Sequence, residues 1–209
     1  MLTNRYKTAT FLKSAARVNQ LPPDLGYEIA FAGRSNAGKS TLLNNLAIQK
    51  RLARTSKTPG RTQLINLFSL DESRRLIDLP GYGYAEVPKK IKEEWQRTLS
   101  QYLQDRNCLR GVVLLMDCRH PLQPLDQLMI DNLEHRALPI HLVLTKSDKI
   151  SRGQAKSTLL QMKRHFAKIS DRITVQNFSS LTHDGLDELI AQLDRWFEWE
   201  NITHLGDDS

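Results

Sequence analysis

Gly33-Arg34-Ser35-Asn36-Ala37-Gly38-Lys39-Ser40 decides how this chain is read. Two glycines bracket four residues and Lys-Ser follows, the spacing of a loop that cradles a phosphate chain. Residues 27–32 before it read as a strand, and residues 41–46 after it read as the start of a helix. Strand, glycine loop and helix in that order are the context the motif requires. A phosphate chain carries several negative charges that must be held without water. Gly33 and Gly38 are expected to supply backbone angles that other residues avoid. Successive N–H groups would then point inward as an anion nest, and the helix would aim its positive end at the same place. Lys39 would reach the β- and γ-phosphates as a mobile point charge. Ser40 would place its hydroxyl on a magnesium ion.

Outward from this loop the chain alternates. Residues 62–70 read as a strand, and 74–77 as its hairpin partner across Asp71-Glu72-Ser73. Residues 89–106 have helical spacing, with Ile91, Trp95, Leu99 and Leu103 on one face. Residues 111–116 form a near-continuous apolar run, as a strand buried on both faces should. Helix, strand, helix, strand and helix follow at 125–136, 140–144, 154–169, 173–178 and 186–197. The fold expected is α/β, a three-layer sandwich: a mainly parallel sheet with one antiparallel strand and helices on both faces. Residues 26–199 make one nucleotide-binding domain, 1–25 an extension packed on it, and 200–209 a loose tail. Within the extension, residues 8–16 read as either a strand or a short helix, ended by Pro22-Pro23-Asp24.

In such sheets ligands bind beyond the carboxyl ends of the strands. Three more candidate sites fall there. Asp78-Leu79-Pro80-Gly81 can hold magnesium through water, with the Gly81 N–H sensing the γ-phosphate. Thr145-Lys146-Ser147-Asp148 can read a base. Guanine presents N1–H and an amino group on one edge, and the Asp148 carboxylate accepts both. Adenine offers no such pair, and the acid would be left unpaired at a cost of several kcal/mol. The Lys146 stem would lie along the base plane. Phe178-Ser179-Ser180 would offer backbone N–H groups to the guanine carbonyl. Thr62 opens a strand after a basic loop, so its hydroxyl is expected to complete the magnesium shell; Thr58 is the second choice.

The 209 residues are 40% hydrophobic and 25% charged, enough for one full core. A net charge of +7 suits an anionic partner such as nucleic acid, or simply a solvated basic surface. Lys50, Arg51, Arg54, Lys57 and Arg61 crowd one acid-free segment of turn chemistry. Two cysteines, Cys108 and Cys118, make neither a metal site nor a disulfide framework, so a reduced, cytoplasmic setting is expected. The N-terminus lacks the apolar core of a signal peptide, and no stretch approaches a membrane span.

Together, the phosphate loop, Thr58-Pro59-Gly60-Arg61-Thr62-Gln63, Asp78-Leu79-Pro80-Gly81-Tyr82-Gly83-Tyr84-Ala85 and Thr145-Lys146-Ser147-Asp148 closely resemble the EngB (YihA/YsxC) family of bacterial GTP-binding proteins. The resemblance spans residues 11–197. It implies a small, single-domain P-loop GTPase that binds GTP and GDP with magnesium; a monomer is expected. It also implies assistance in assembling the large ribosomal subunit, from rRNA and ribosomal proteins, and a need for the protein in normal division and septation. Family sites map onto Gly33 to Ser40, onto Gly60, Arg61, Thr62, Gln63 and Leu64, onto Asp78 to Gly81, onto Thr145 to Asp148 and onto Phe178 to Ser180. Magnesium falls to Ser40 and Thr62.

Many GTPases place a glutamine after Asp-x-x-Gly to orient the attacking water. Here Tyr82 stands there, so slow intrinsic hydrolysis is expected. By analogy with related GTPases, Asn36 would help hold a potassium ion beside the phosphates; otherwise it only braces the loop. Lys39, Thr62 and Asn36 are the expected catalytic residues. An alternative is a nucleotide-gated ribosome-binding module with negligible hydrolysis of its own. An ATP-using enzyme is disfavoured by Asp148.

Overall fold

Strands and helices follow one another as β1 (Thr10–Ala15), β2 (Tyr27–Gly33), α1 (Lys39–Ala47), β3 (Ile65–Ser69), β4 (Arg74–Asp78), α2 (Lys89–Asp105), β5 (Leu109–Asp117), α3 (Pro124–His135), β6 (Ile140–Thr145), α4 (Arg152–Phe166), β7 (Ile173–Asn177) and α5 (Leu186–Trp196). This is a computed structural model, and it describes residues 4–53, 64–83 and 89–199, without the side chains at 89–92 and 95. Thr58, Gly60, Arg61, Thr62, Gln63, Tyr84, Ala85 and the tail at 200–209 lie outside the described residues, as do the side chains of Ile91 and Trp95.

The seven strands form one sheet in the order β1-β3-β4-β2-β5-β6-β7. β3 alone runs against its neighbours, pairing antiparallel with both β1 and β4. The other pairs are parallel. The segment at 10–15 is thus a strand, not a helix. As an edge strand it leaves Phe11 and Leu12 exposed, at 58% and 47%.

β2 shows why both faces are covered. Ile29 and Phe31 point into one layer with Leu42, Leu46, Leu189 and Leu193 from α1 and α5. Ala30 and Ala32 point into the other, with Leu99 and Tyr102 from α2, Met129 from α3 and Phe166 from α4. Period-2 alternation on a strand buried on both sides demands this.

Some boundaries differ from the sequence reading. α4 begins at Arg152 instead of residue 154, because Ser151 and Gln154 form a reciprocal capping box. β5 runs from Leu109 to Asp117, two residues longer at its start and one at its end than its apolar run. The amino-terminal residues are tied in by side chains as well as by β1. Asn4 donates to the Leu46 carbonyl at 3.0 Å, and the buried Tyr6 hydroxyl donates to Asp194 at 2.8 Å.

At the amino-terminal end of β2, away from the phosphate loop, Glu28 is fully buried. It accepts from Arg75 Nε (3.0 Å), Arg106 Nη2 (2.7 Å), Arg106 Nε (3.0 Å) and the Tyr102 hydroxyl (3.0 Å). A carboxylate is tolerated there because its lone pairs are satisfied by charge and hydrogen bonds. β2 is also where the chain reverses direction across the sheet: the next strands go to one side, and β5 onward to the other. That reversal opens a crevice at the carboxyl end of β2, where the glycine loop begins.

Candidate nucleotide-binding site

Gly33 is the last residue of β2. Its need for glycine is spatial, which corrects the expectation of an unusual backbone angle. A Cβ there would sit 2.8 Å from the Leu115 carbonyl oxygen. Gly38 does need its freedom: φ is +94° where the loop turns into α1. Asn36 also lies in the left-handed region, with φ +64°, a conformation asparagine tolerates better than most residues.

Neighbouring segments hold the loop shut. The Ser35 N–H donates to the Tyr82 carbonyl at 2.8 Å, and the Tyr82 N–H to the Gly33 carbonyl at 3.3 Å. A Cβ on Gly81 would meet the Ser35 backbone at 3.3 Å, so glycine lets the two segments touch. From the other side the buried Thr145 hydroxyl reaches the Ala37 carbonyl (2.7 Å) and the Met116 carbonyl (3.1 Å). Thr145 therefore braces the loop, whereas its motif groups it with the base-reading residues. Arg34 is exposed beside the loop and Pro80 is half-buried, whereas the Leu79 side chain is buried in the core and its N–H donates to the Phe31 carbonyl at 3.0 Å. Leu64 lies half-buried just before β3.

Lys39, the first residue of α1, pairs with Asp78, the last residue of β4. Their side chains are only 12% and 8% exposed. An ammonium and a carboxylate thus meet at the floor of the loop, with Ser40 the next residue of the helix. This donor set suits a polyphosphate and the divalent cation that neutralises it.

Asp148 lies half-buried in the turn after β6. The Ser179 hydroxyl donates to its Oδ1 at 2.8 Å, and Lys149 pairs with its Oδ2 at 3.2 Å. The Ser179 bond holds the carboxyl below the usual carboxylate range. Ser179 is itself buried, and its oxygen accepts the N–H groups of Leu181 and Thr182. Sequence reasoning assigns only backbone donors to Phe178, Ser179 and Ser180 and misses this side chain; the Phe178 and Ser179 N–H groups are instead spent on the Leu144 carbonyl (2.8 Å) and the Asp184 carbonyl (3.1 Å). A serine two and three residues before the N–H groups it caps is a local turn pattern that could signal it. The Phe178 carbonyl accepts the Ser147 N–H at 3.2 Å, and the Ser180 carbonyl accepts Asn45 Nδ2 at 3.2 Å.

Lys146 has φ +60°, and its carbonyl accepts the Cys118 thiol at 3.3 Å. Its ammonium lies 3.0 Å from Asp117 at the end of β5. The Arg119 side-chain bond, first of all, keeps Asp117 ionised far below the usual carboxylate range. Sequence reasoning misses Asp117 too. An acid closing a long apolar strand, beside the strand that ends in Thr145, is the available sign.

Tyr82 departs most from expectation. The sequence places its phenol on a loop; the structure buries it, 4% exposed, with its hydroxyl 2.6 Å from Asp126 in the first turn of α3. Burial raises both groups above their ordinary ranges, so Tyr82 is a neutral donor.

The family described as "50S ribosome-binding GTPase" matches residues 28–146, more than half of the chain. The "Probable GTP-binding protein EngB" of Hydrogenovibrio crunogenus is 52% identical over 195 residues, covering 93% of this chain and 92% of that protein. That of Glaesserella parasuis is 54% identical, covering 92% of each. The chain belongs to the EngB family of GTP-binding proteins. Its fold is that of P-loop GTPases. A crystal structure of a probable GTP-binding protein EngB superposes with a TM-score of 0.66 at 23% identity, over 82% of this chain and 99% of that one. Era in complex with MgGDPNP and a segment of 16S ribosomal RNA gives 0.62 at 25% identity, over 82% and 57%. An EngB-family GTPase binds and hydrolyses GTP. Among the described residues no helix is long and apolar enough to cross a membrane.

Proposed function

We propose that this chain is a cytoplasmic, monomeric GTP-driven switch that assists assembly of the large ribosomal subunit and is needed for normal cell division and septation. The observation that carries the site assignment is the Lys39–Asp78 pair under the glycine loop, with Asp148 fixed by Ser179 at the same, carboxyl end of the strands. Residues Gly33 to Ser40 hold the phosphates, and Thr145 to Asp148 with Phe178 to Ser180 hold the guanine. Gly60 to Leu64 and Asp78 to Gly81 meet the γ-phosphate end. Ser40 and Thr62 would hold magnesium, with Asp78 behind them, and the ion would supply positive charge against the phosphates. Asp148 accepts guanine N1–H and the amino group, Lys146 covers the base plane, and Asp117 keeps Lys146 in place.

In hydrolysis a water oxygen attacks the γ-phosphorus and the bond to the β-phosphate oxygen breaks. GDP and phosphate leave, and the water gives up its proton. Lys39 stabilises the charge that develops on the phosphate oxygens. Tyr82 cannot orient that water while its hydroxyl is committed to Asp126, which supports a slow intrinsic rate. A potassium ion held with help from Asn36 would supply extra positive charge beside the phosphates.

The ribosomal reading is supported by the family description and by the basic charge. Ribosomal-subunit profiles from cells depleted of the protein test it. A specific loss of large subunits is expected, and normal profiles beside a division defect would overturn it. Association with large-subunit precursors should be tighter with a non-hydrolysable GTP analogue than with GDP, and weaker in salt. The buried Tyr82 phenol also favours a second reading, a nucleotide-gated ribosome-binding module whose own hydrolysis is negligible. Turnover measured with and without ribosomal particles separates the two.

A further inference from the structure

From Lys149 to Ser170 the chain carries six cations, Lys149, Arg152, Lys156, Lys163, Arg164 and Lys168, and no acid. The net charge of the whole chain is +7, so the rest nearly balances. Most of this segment is α4. Lys149 is paired with Asp148 at 3.2 Å. The other five are exposed, and none pairs with a carboxylate among the described residues. Charged surfaces normally intersperse both signs. Here five uncompensated cations lie within about five helical turns of chain.

Their spacing is directional. Arg152, Lys156 and Lys163 are four and seven residues apart, so they repeat on one side of the helix along about 16 Å. A groove of about 490 Å³ opens beside Lys163, between α4 and α5, and adds Arg195; two carboxylates, Asp171 and Glu188, also line it. Lys163 thus sits at the rim of that groove, Arg152 and Lys156 continue its row along the same flank of α4 beyond the groove, and Arg164 lies on the side opposite the buried one. The apolar side of α4, Ala155, Met162 and Phe166, is buried in the domain. An amphipathic membrane helix needs a free apolar side, so a lipid surface is disfavoured. A row of unpaired cations without one suits a phosphate backbone.

Position adds a second feature. α4 leads into β7, at the opposite edge of the sheet from β1, β3 and β4. The segments proposed to meet the γ-phosphate precede β3 and follow β4. The α4 face is therefore presented alike with GTP or GDP bound. We propose that this face is an RNA-docking surface that grips the phosphate backbone in both nucleotide states, while the segments near the γ-phosphate supply the nucleotide dependence. This rests on the ribosomal reading above and deepens it.

The test compares wild type with the triple variant Arg152→Gln, Lys156→Gln, Lys163→Gln. The readouts are binding of a fluorescein-labelled transcript of a large-subunit rRNA domain across a salt series, with GDP and with a GTP analogue, and co-sedimentation with large subunits. GDP affinity and far-UV circular dichroism report folding. The expected result is RNA affinity lowered by about tenfold or more at low salt, with the log–log salt slope reduced by about 2 to 3. Both nucleotide states should lose equally, with GDP affinity unchanged. If wild type binds the RNA and the variant binds it as tightly, the face is wrong while the ribosomal reading stands. If wild type ignores the RNA, or binds vesicles containing phosphatidylserine more tightly, the RNA assignment is wrong. If neither protein sediments with large subunits, the ribosomal reading fails as well.

Discussion

The Tyr82 hydroxyl donates to the Asp126 carboxylate at 2.6 Å, joining the segment after β4 to the first turn of α3. Asp126 also accepts the Gln123 N–H at 2.9 Å, so one buried acid caps the helix and holds the phenol. Tyr82→Phe should therefore cost stability rather than chemistry. Unfolding in urea should show a loss of about 1 to 3 kcal/mol, the cost of leaving a buried acceptor short of a donor. Single-turnover hydrolysis should stay near wild type. A fall of about 10²-fold or more would mean that the phenol takes part in the reaction.

How much of this was legible beforehand depended on whether the signal was local. The phosphate loop, Asp78 and Asp148 are written in short motifs flanked by strand and helix patterns, and the alternation along 111–197 carried the sheet. The strand at 10–15 was ambiguous because an edge strand has no buried face on one side to impose alternation; Phe11 and Leu12 stay exposed. The roles of Ser179, Asp117 and Asp126 depend on partners 31, 29 and 44 residues away in sequence. Such pairings come from the strand order, which periodicity does not encode. Gly33 reads as a backbone device, yet what it avoids is the Leu115 carbonyl on the next strand.

Asn36 combines a left-handed backbone with a side chain at the phosphate loop. Asn36→Gly keeps the left-handed backbone accessible and removes the side chain with its amide. Wild type should hydrolyse GTP faster in potassium than in sodium, and the variant should lose that gain. Equal wild-type rates in the two salts, or a gain that survives in the variant, would leave Asn36 as a brace alone.

Glu28 links Arg75, Arg106 and Tyr102 with no exposure to water. Glu28→Ala leaves two guanidinium groups and a phenol without their acceptor. Denaturant unfolding should register a loss of about 3 to 5 kcal/mol. GDP affinity at a temperature where the variant is still folded should not change, since Glu28 lies at the other end of β2. A loss below about 1 kcal/mol, the worth of an exposed pair, would contradict this account.

His141 is buried, with Nδ1 2.7 Å from the Thr174 hydroxyl and Nε2 2.7 Å from Gln176. Burial pushes it down to about 4, against the Gln176 bond, and the Arg195 and Lys163 charges add to the shift. Because the folded value lies below the unfolded one of about 6.5, the unfolded chain takes the proton first as pH falls. Its contribution is intact above pH 6.5 and is lost between there and about 4. His141→Gln should shrink the stability difference between pH 7 and pH 5 by about 2 kcal/mol. An unchanged difference in urea titrations would show that His141 titrates normally.

The central claim is that one crevice grips a triphosphate at the Lys39–Asp78 end and checks a guanine at Asp148. Competition of GTP and xanthosine triphosphate for the purified Asp148→Asn protein in magnesium buffer tests it most directly. Xanthine carries a carbonyl where guanine has its amino group, and the asparagine amide can donate to it. The variant should lose GTP affinity by about a hundredfold or more and prefer the xanthosine nucleotide. A variant that still prefers GTP would contradict the account.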